Sequence, residues 1–330
     1  MSEAVMVPVQ VRATVVTVRR VDAYHTLTLV APAIATRFRP GQFITVAVGG
    51  PETSMLARRA FAVHDARPDH GRVEFVFEAS GRGTRWLAGL RVRDVLDATG
   101  PLGRPFRVPK DPSSCLLLGV GYGSAPLFAL AARLHERGCS VDFLLGGQSA
   151  DRVFGALTAR RIGRSAAVAT SDGSAGARGA VTDLLEQVIR EARTEVIYAC
   201  APVPVLREVT ALANKYDIPV QASVDVAMAC GIGVCMGCVL PVTGTDGVTR
   251  MVRSCVDGPV FRGDLVRWDD VGTIPFDALG APGWKGTRGG QVRRGGLAWT
   301  VPPRDREDPR GSPPRGQQQP PGPAGRSHAG

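Results

Sequence analysis

Four cysteines fall within a short glycine-rich stretch toward the C-terminal end, and they constrain the chain more than any other feature. The stretch reads MACGIGVCMGCVLPV, then a Gly- and Thr-rich turn, then RSCVDGPVF. Four residues separate Cys230 from Cys235, two separate Cys235 from Cys238, and sixteen precede Cys255. Thiolates from one loop and a following hairpin can enclose a metal centre, and a four-then-two gap is the spacing of plant-type [2Fe–2S] sites. Gly231, Gly233 and Gly237 lie between the ligands, where they let main-chain N–H groups turn toward bridging sulfides. Zinc also takes four thiolates, although its structural sites usually show two CxxC-type pairs. A disulfide framework needs an oxidising compartment, and the N-terminal MSEAVMVPVQ has neither the basic start nor the apolar run of a secretion signal. The spacing favours the iron–sulfur cluster and leaves zinc as the alternative.

A chain of 330 residues has room for two domains and a small appendage. Residues 113–132 carry no charge and nearly reach membrane-spanning length, but Gly119, Gly121, Gly123 and Pro126 interrupt them. They read better as a buried strand, a glycine loop and a helix, so a soluble cytoplasmic protein without a membrane partner is expected. The net charge of +10 comes mostly from one end: residues 278–330 hold nine Lys/Arg against three Asp/Glu. That segment is rich in Gly, Pro, Gln and Arg and too poor in large apolar side chains to offset its ordering entropy, so it reads as disordered. A basic tail alone does not establish a nucleic-acid partner, and none is expected.

Residues 1–108 read as an antiparallel β-barrel of short strands such as VQVRATVVTVRRV, YHTLTLVAP, GQFITVAV and VEFVFEA, punctuated by Gly and Pro. Arg59 opens the strand-like Arg59-Ala60-Phe61-Ala62; an arginine there can neutralise a pyrophosphate, and Phe61 offers a face to an aromatic ring. Gly83 and Thr84 introduce a helical stretch whose N-terminal amides suit a phosphate. From 109 to 222 strand and helix alternate, the pattern of a parallel-sheet α/β domain. Gly121 and Gly123 follow its first strand, where a dinucleotide would lie, although the full spaced fingerprint is absent. Cys200 ends the strand EVIYAC at the edge where open α/β sheets bind ligands; its default reading is a buried structural thiol. Residues 223–270 form the small cluster segment.

Together these pieces resemble the electron-transfer subunit of NAD-dependent (class 1B) dihydroorotate dehydrogenase, a branch of the ferredoxin–NADP reductase superfamily. The resemblance spans about residues 7–268 and is most specific in MACGIGVCMGC and CVDGPVF, with SDGSAGARGAVTDLL and YACAPVP in support. It implies FAD on the barrel, NAD on the α/β domain and a [2Fe–2S] cluster on Cys230, Cys235, Cys238 and Cys255. The family's Arg-Pro-x-Ser flavin motif aligns with Arg59, Ala60, Phe61 and Ala62, so only the arginine is kept and the serine hydroxyl is lost. Gly83 and Thr84 match the residues at the FAD phosphates, and Val76, Phe77 and Glu78 match the strand whose backbone borders the cofactor. Cys200-Ala201-Pro202 matches a Cys-Gly-Pro beside the nicotinamide, and Asp225 is the nearest candidate for an acidic residue that normally precedes the first ligand.

The function implied is an electron relay between NAD and a partner subunit that carries FMN and oxidises dihydroorotate to orotate in pyrimidine biosynthesis, in an assembly of two plus two chains. No residue set here would bind orotate or act as its base, so no catalytic residue is assigned to this chain. Two other readings compete. One is a flavin/iron–sulfur NAD(P)H reductase serving a sulfite reductase or oxygenase. The other, prompted by Ala60 and Ala62, is a degenerate non-enzymatic binding subunit.

Overall fold

Alternation decides the first element. In VQVRATVVTVRRV, Ala13 and Val15 are buried while Gln10 and Arg12 face solvent, the period of a strand with one wet face. The computed structural model describes residues 7–50 and 53–285. Its N-terminal strands are β1 (Val9–Val21), β2 (Tyr24–Val30), β3 (Phe43–Val46), β4 (Arg59–Arg67), β5 (Arg72–Phe77) and β6 (Val95–Leu102). They close into an antiparallel barrel in the order β1-β2-β5-β4-β3-β6, so none is left as an edge. Leu27, Leu29, Ile44, Val46, Val63, Phe75 and Phe77 fill the interior. Two short helices, α1 (Pro32–Ala35) and α2 (Arg82–Ala88), attach to the barrel.

The period then changes as the sequence implied. Strands β7 (Ser114–Val120), β8 (Ser140–Gly147), β9 (Ser165–Thr170), β10 (Ala177–Arg178), β11 (Val196–Ala201) and β12 (Val220–Val224) form a parallel sheet ordered β10-β9-β8-β7-β11-β12. Helices α3 (Ala125–His135), α4 (Ala156–Ile162), α5 (Leu185–Ala192) and α6 (Val203–Lys215) connect and cover it. VIYACA is buried at every position and SCLLLGV at all but its ends, because helices take both faces of the sheet. Pro126 sits in the first turn of α3, where its missing N–H costs nothing.

One buried charge holds two strands of this domain together. Asp142 is 1% exposed and accepts from Arg164 through both carboxylate oxygens and from Ser165 Oγ at 2.7 Å. Arg164 also donates to Ala192 O at 2.7 Å and Ser114 Oγ at 3.0 Å. Removing the guanidinium leaves a buried carboxylate with one remaining side-chain donor. Arg164→Ala is therefore expected to lose about 3 kcal/mol of stability, measurable by urea denaturation.

The last elements are β13 (Val239–Thr243), β14 (Thr249–Arg253), α7 (Ser254–Asp257) and β15 (Val260–Arg262). β13 and β14 pair as a hairpin, whereas β15 adds antiparallel to β12 and so becomes the edge of the α/β sheet. Arg104, just past the barrel, donates its N–H to Gly258 O at 2.6 Å and bridges to Pro259. Barrel, sheet and cysteine-bearing segment thus meet at one point. The chain also stays packed beyond residue 278, where disorder was expected to begin. Ala278 is buried, Leu279 N donates to Thr249 O at 2.8 Å, and Asp277 pairs with Arg267 at 2.6 Å. This contact is not legible in the sequence, because a single buried alanine in a Gly- and Pro-containing stretch carries no pattern. The rest of the expected tail, 286–330, lies outside the described residues. Among the described residues no helix is long and apolar enough to cross a membrane.

Candidate metal centre and cofactor site

The four cysteines occupy a turn-rich loop after β12 and the α7 turn after β14. Cys238 and Cys255 are buried, Cys230 is half-buried and Cys235 is exposed. Backbone amides already point at sulfur: Cys235 N–H reaches Cys230 Sγ at 3.5 Å, Gly237 N–H reaches Cys235 Sγ at 3.4 Å, and Cys255 N–H reaches Cys238 Sγ at 3.4 Å. Burial opposes ionisation of Cys230, but the amides of Cys235, Ile232 and Val234 outweigh it and bring that thiol down to about 6. Burial, with Cys238 alongside, pushes Cys255 up to about 12. Cys230 is thus ready to ligate as thiolate, whereas Cys255 needs a cation to ionise.

The loop rests on the barrel. Cys238 and Cys255 pack with Phe43 and Leu102, and Ala60, Val226 and Met228 close around them. Gly231 has φ +72°, and a Cβ there would lie 2.6 Å from Thr45 Cγ2, so glycine is what permits the close approach. Two hydroxyls in this region, Thr45 Oγ1 and Ser254 Oγ, are buried without a partner among the described residues. Among the described residues no group of three or more His, Cys, Asp or Glu side chains is arranged to hold a metal ion: the sulfurs stand as two pairs, Cys230 with Cys235 and Cys238 with Cys255. In chemical type, four thiols with inward amides and unmatched hydroxyl donors suit a group rich in acceptor sulfur.

The residues expected at the phosphates come from two segments far apart in sequence. A Cβ on Gly83 would lie 3.1 Å from Arg59 Nε, so the first residue of β4 and the start of α2 are neighbours. Arg59 Nη1 donates to Ala57 O at 2.7 Å, which fixes the guanidinium over this corner. Thr84 Oγ1 is engaged with Gly81, accepting from its N–H at 3.1 Å and donating to its carbonyl at 3.2 Å. Arg58, indistinguishable from Arg59 by sequence, is committed elsewhere: it pairs with Asp97 at 2.6 Å. Phe61 places one ring face on Phe75, 4.6 Å between centroids at 17°, and leans on Phe77 at 5.7 Å. It faces the barrel interior with Ile44, its cross-strand partner, while Ala60 and Ala62 face outward with Thr45 and Phe43.

The strand end Val76-Phe77-Glu78 joins the barrel to the α/β domain. Val76 is buried with the core of that domain. Glu78 pairs with Arg152 at 3.3 Å, Tyr24 O–H donates to Arg152 O at 2.9 Å, and His64 Nδ1 contacts Ala125 O at 2.8 Å. Burial, only partly offset by Arg152, raises the Tyr24 phenol to about 12, so it remains a donor. The sequence singled out Glu78 on the cofactor-bordering strand, and nothing local signalled that it pairs with Arg152. Gly121 and Gly123 form a turn at the end of β7, and a Cβ on Gly123 would lie 3.1 Å from Cys200 O. Cys200 is buried and burial pushes its thiol far up, so it is a neutral small group at this edge. Asp225, an exposed residue just past β12, acts together with burial to raise the phenol of Tyr122.

Residues 226–267 match the iron-sulfur cluster binding domain of dihydroorotate dehydrogenase B. The Bacillus caldolyticus dihydroorotate dehydrogenase B (NAD(+)) electron transfer subunit is 38% identical over 248 residues, covering 73% of this chain and 92% of the relative. The chain belongs to this family. A Thermotoga maritima homolog of the same subunit is 31% identical over 242 residues, covering 73% of this chain and 82% of the relative. Among solved structures, an NADH-dependent reduced ferredoxin-NADP oxidoreductase studied for flavin-based electron bifurcation superposes with a TM-score of 0.70 at 28% identity, covering 78% of this chain and 91% of that one. Barrel, parallel sheet and C-terminal cysteine segment are therefore the family's architecture, and the chain is an oxidoreductase electron-transfer subunit.

Proposed function

We propose that this dihydroorotate dehydrogenase B family member relays electrons between NAD and the FMN of a catalytic partner, by way of FAD and a [2Fe–2S] cluster. When bound, these groups accept hydride and exchange single electrons, steps no side chain here performs. The observation that carries the reading is the strand β4: its Arg59 stands at the phosphate corner and the next residue, Ala60, packs on the cluster cysteines. One rigid strand thus touches both cofactor sites. Arg59 offsets the pyrophosphate charge, the Gly83 and Thr84 amides hold its oxygens, and the small Ala60 and Ala62 leave room for a flat ring outside the barrel. Phe43 and Leu102 keep water from the two buried cysteines. Gly123 and Cys200 leave the sheet edge open to a nicotinamide. Co-purification followed by orotate-dependent NADH oxidation tests the whole assignment. A complex that lacks this activity but reduces another electron acceptor would favour the reductase reading, which the likeness to the ferredoxin-NADP oxidoreductase keeps in view.

NAD is favoured over NADP on local charge. Arg152, the basic residue nearest the end of β8, is turned back to Glu78, and Asp172 lies exposed past β9, where it would repel a 2′-phosphate. NADH should give the higher kcat/KM in a dye-reduction assay; a higher value for NADPH would reverse the assignment.

The partner, expected in a two-plus-two assembly, docks on the cluster loop, where Ile232, Val234 and Met236 are all exposed. Met236→Glu should keep NADH–dye activity and lose electron transfer to the partner. A chain ending at Lys285, which retains the Ala278 and Leu279 contacts, should keep both. Uncoupling by the truncation alone would place docking on the basic tail instead.

A further inference from the structure

β3 and β4 pair with Thr45 opposite Ala60 and Phe43 opposite Ala62. Directly paired residues share a face, so these four side chains line one outward patch of the barrel. Phe43 and Ala60 from that patch pack on Cys238 and Cys255, and the Thr45 methyl lies against Gly231, the residue after the first ligand. Thr45 is the patch's one hydroxyl. It is 2% exposed, and its Oγ1 has no hydrogen-bond partner among the described residues, the cysteine sulfurs included. A buried hydroxyl without an acceptor is unfavourable, and a strand position facing solvent-free packing normally takes Val or Ile. The hydroxyl is accounted for if its acceptor arrives with the cluster.

We infer that Thr45 is a positioning and tuning residue for the metal centre, its Oγ1–H donating to a sulfur of the bound [2Fe–2S] group. The inference rests on the reading of the four cysteines as cluster ligands. Reduction adds one negative charge to that group, and a donor to sulfur stabilises the more negative form, so Thr45 raises the potential. Ala62 on the same patch lacks a hydroxyl, and its backbone neighbours are already paired in the ladder. Thr45 is consequently the barrel residue through which hydrogen bonding from this face can reach the centre.

The test is potentiometric titration of the purified full-length chain, followed by EPR, after iron, sulfide and FAD have been quantified. Absence of iron in the wild-type chain would defeat the cluster reading itself and is visible before any variant is made. With the cluster present, Thr45→Val should retain iron and FAD yet move the cluster midpoint to lower potential, and Thr45→Ser should restore it. In wild type, pulsed EPR should resolve at the reduced centre, beyond the couplings of the backbone amides on sulfur, a hydroxyl proton coupling that disappears in D2O, and this one coupling should be missing in Thr45→Val. An unchanged midpoint in a cluster-replete Thr45→Val chain would overturn the inference. Should that variant fail to hold the cluster, the Thr45→Ser midpoint and the wild-type proton coupling decide: a wild-type midpoint with the coupling present supports the donor, and absence of the coupling overturns it.

Discussion

Replacing Cys235 by Ala is expected to abolish the EPR signal of the reduced protein while FAD stays bound. Cys235 is the right ligand to remove because it is exposed, whereas Cys238 and Cys255 are packed against Phe43 and Leu102 and their loss would open a cavity. The barrel corner at Arg59 and Gly83 shares no atom with the Cys235 position, so flavin content serves as an internal control for folding. The wild-type chain, purified under argon, should carry about two irons and two acid-labile sulfides. Stoichiometric zinc without iron, in protein from iron-replete cells, would show that the thiolates serve a structural ion. Electron delivery to a partner should fall to background in Cys235→Ala, while direct dye reduction by NADH persists, since that path ends at the flavin.

The second large effect belongs to Arg59. Its guanidinium lies beside Gly83 and is steered there by Ala57 O, so it would meet a phosphate at that corner as a fixed donor. Arg59→Ala should weaken FAD binding by roughly 1.5–3 kcal/mol, or about 10- to 150-fold, the usual worth of a charge-assisted hydrogen bond. Arg59→Lys should recover only part of this, because an ammonium cannot offer the planar fork. Fluorescence titration of the apo-flavoprotein reads both. Arg58→Ala is the contrasting variant: that residue is paired with Asp97 on the barrel wall, and its loss should leave FAD affinity close to wild type. Equal affinities for wild type and Arg59→Ala would move the pyrophosphate elsewhere on the barrel.

How far the sequence alone leads depends on the range of the interaction. The cysteine spacing, the period-2 strands before residue 103 and the alternation of strand and helix after 113 are local patterns, and all were readable. Arg59 and the Gly83-Thr84 turn each read as a phosphate contact on separate grounds, and only folding brings Gly83 within reach of Arg59. What escaped was decided by partners distant in the chain. Nothing near Arg58 names Asp97, nothing near Glu78 names Arg152, and the stacking of Phe61 on Phe75 depends on how β4 registers against β5 across a bulge. The docking of Leu279 depends on a residue thirty positions earlier, Thr249, whose carbonyl accepts its N–H. Thr45 is the sharpest case: within GQFITVAV it is an unremarked β-former, and it becomes unusual only when its hydroxyl is found buried without an acceptor.

The edge strand β15 has a kinetic meaning. It is contributed by the cysteine segment, hydrogen-bonds into the nucleotide-binding sheet, and is preceded by the turn that Arg104 ties to the barrel. Many redox chains hang one carrier on a flexible tether and rely on its diffusion between two docking positions, so that linker length sets the effective concentration and hence the rate. Here the spacing between the barrel site and the cysteine site is fixed by main-chain hydrogen bonds. Added viscosity can slow the arrival of nucleotide or partner, but it has no tethered excursion to act on inside the chain. Internal transfer would then be governed by distance, driving force and reorganisation energy, which residues between and around the two sites can adjust.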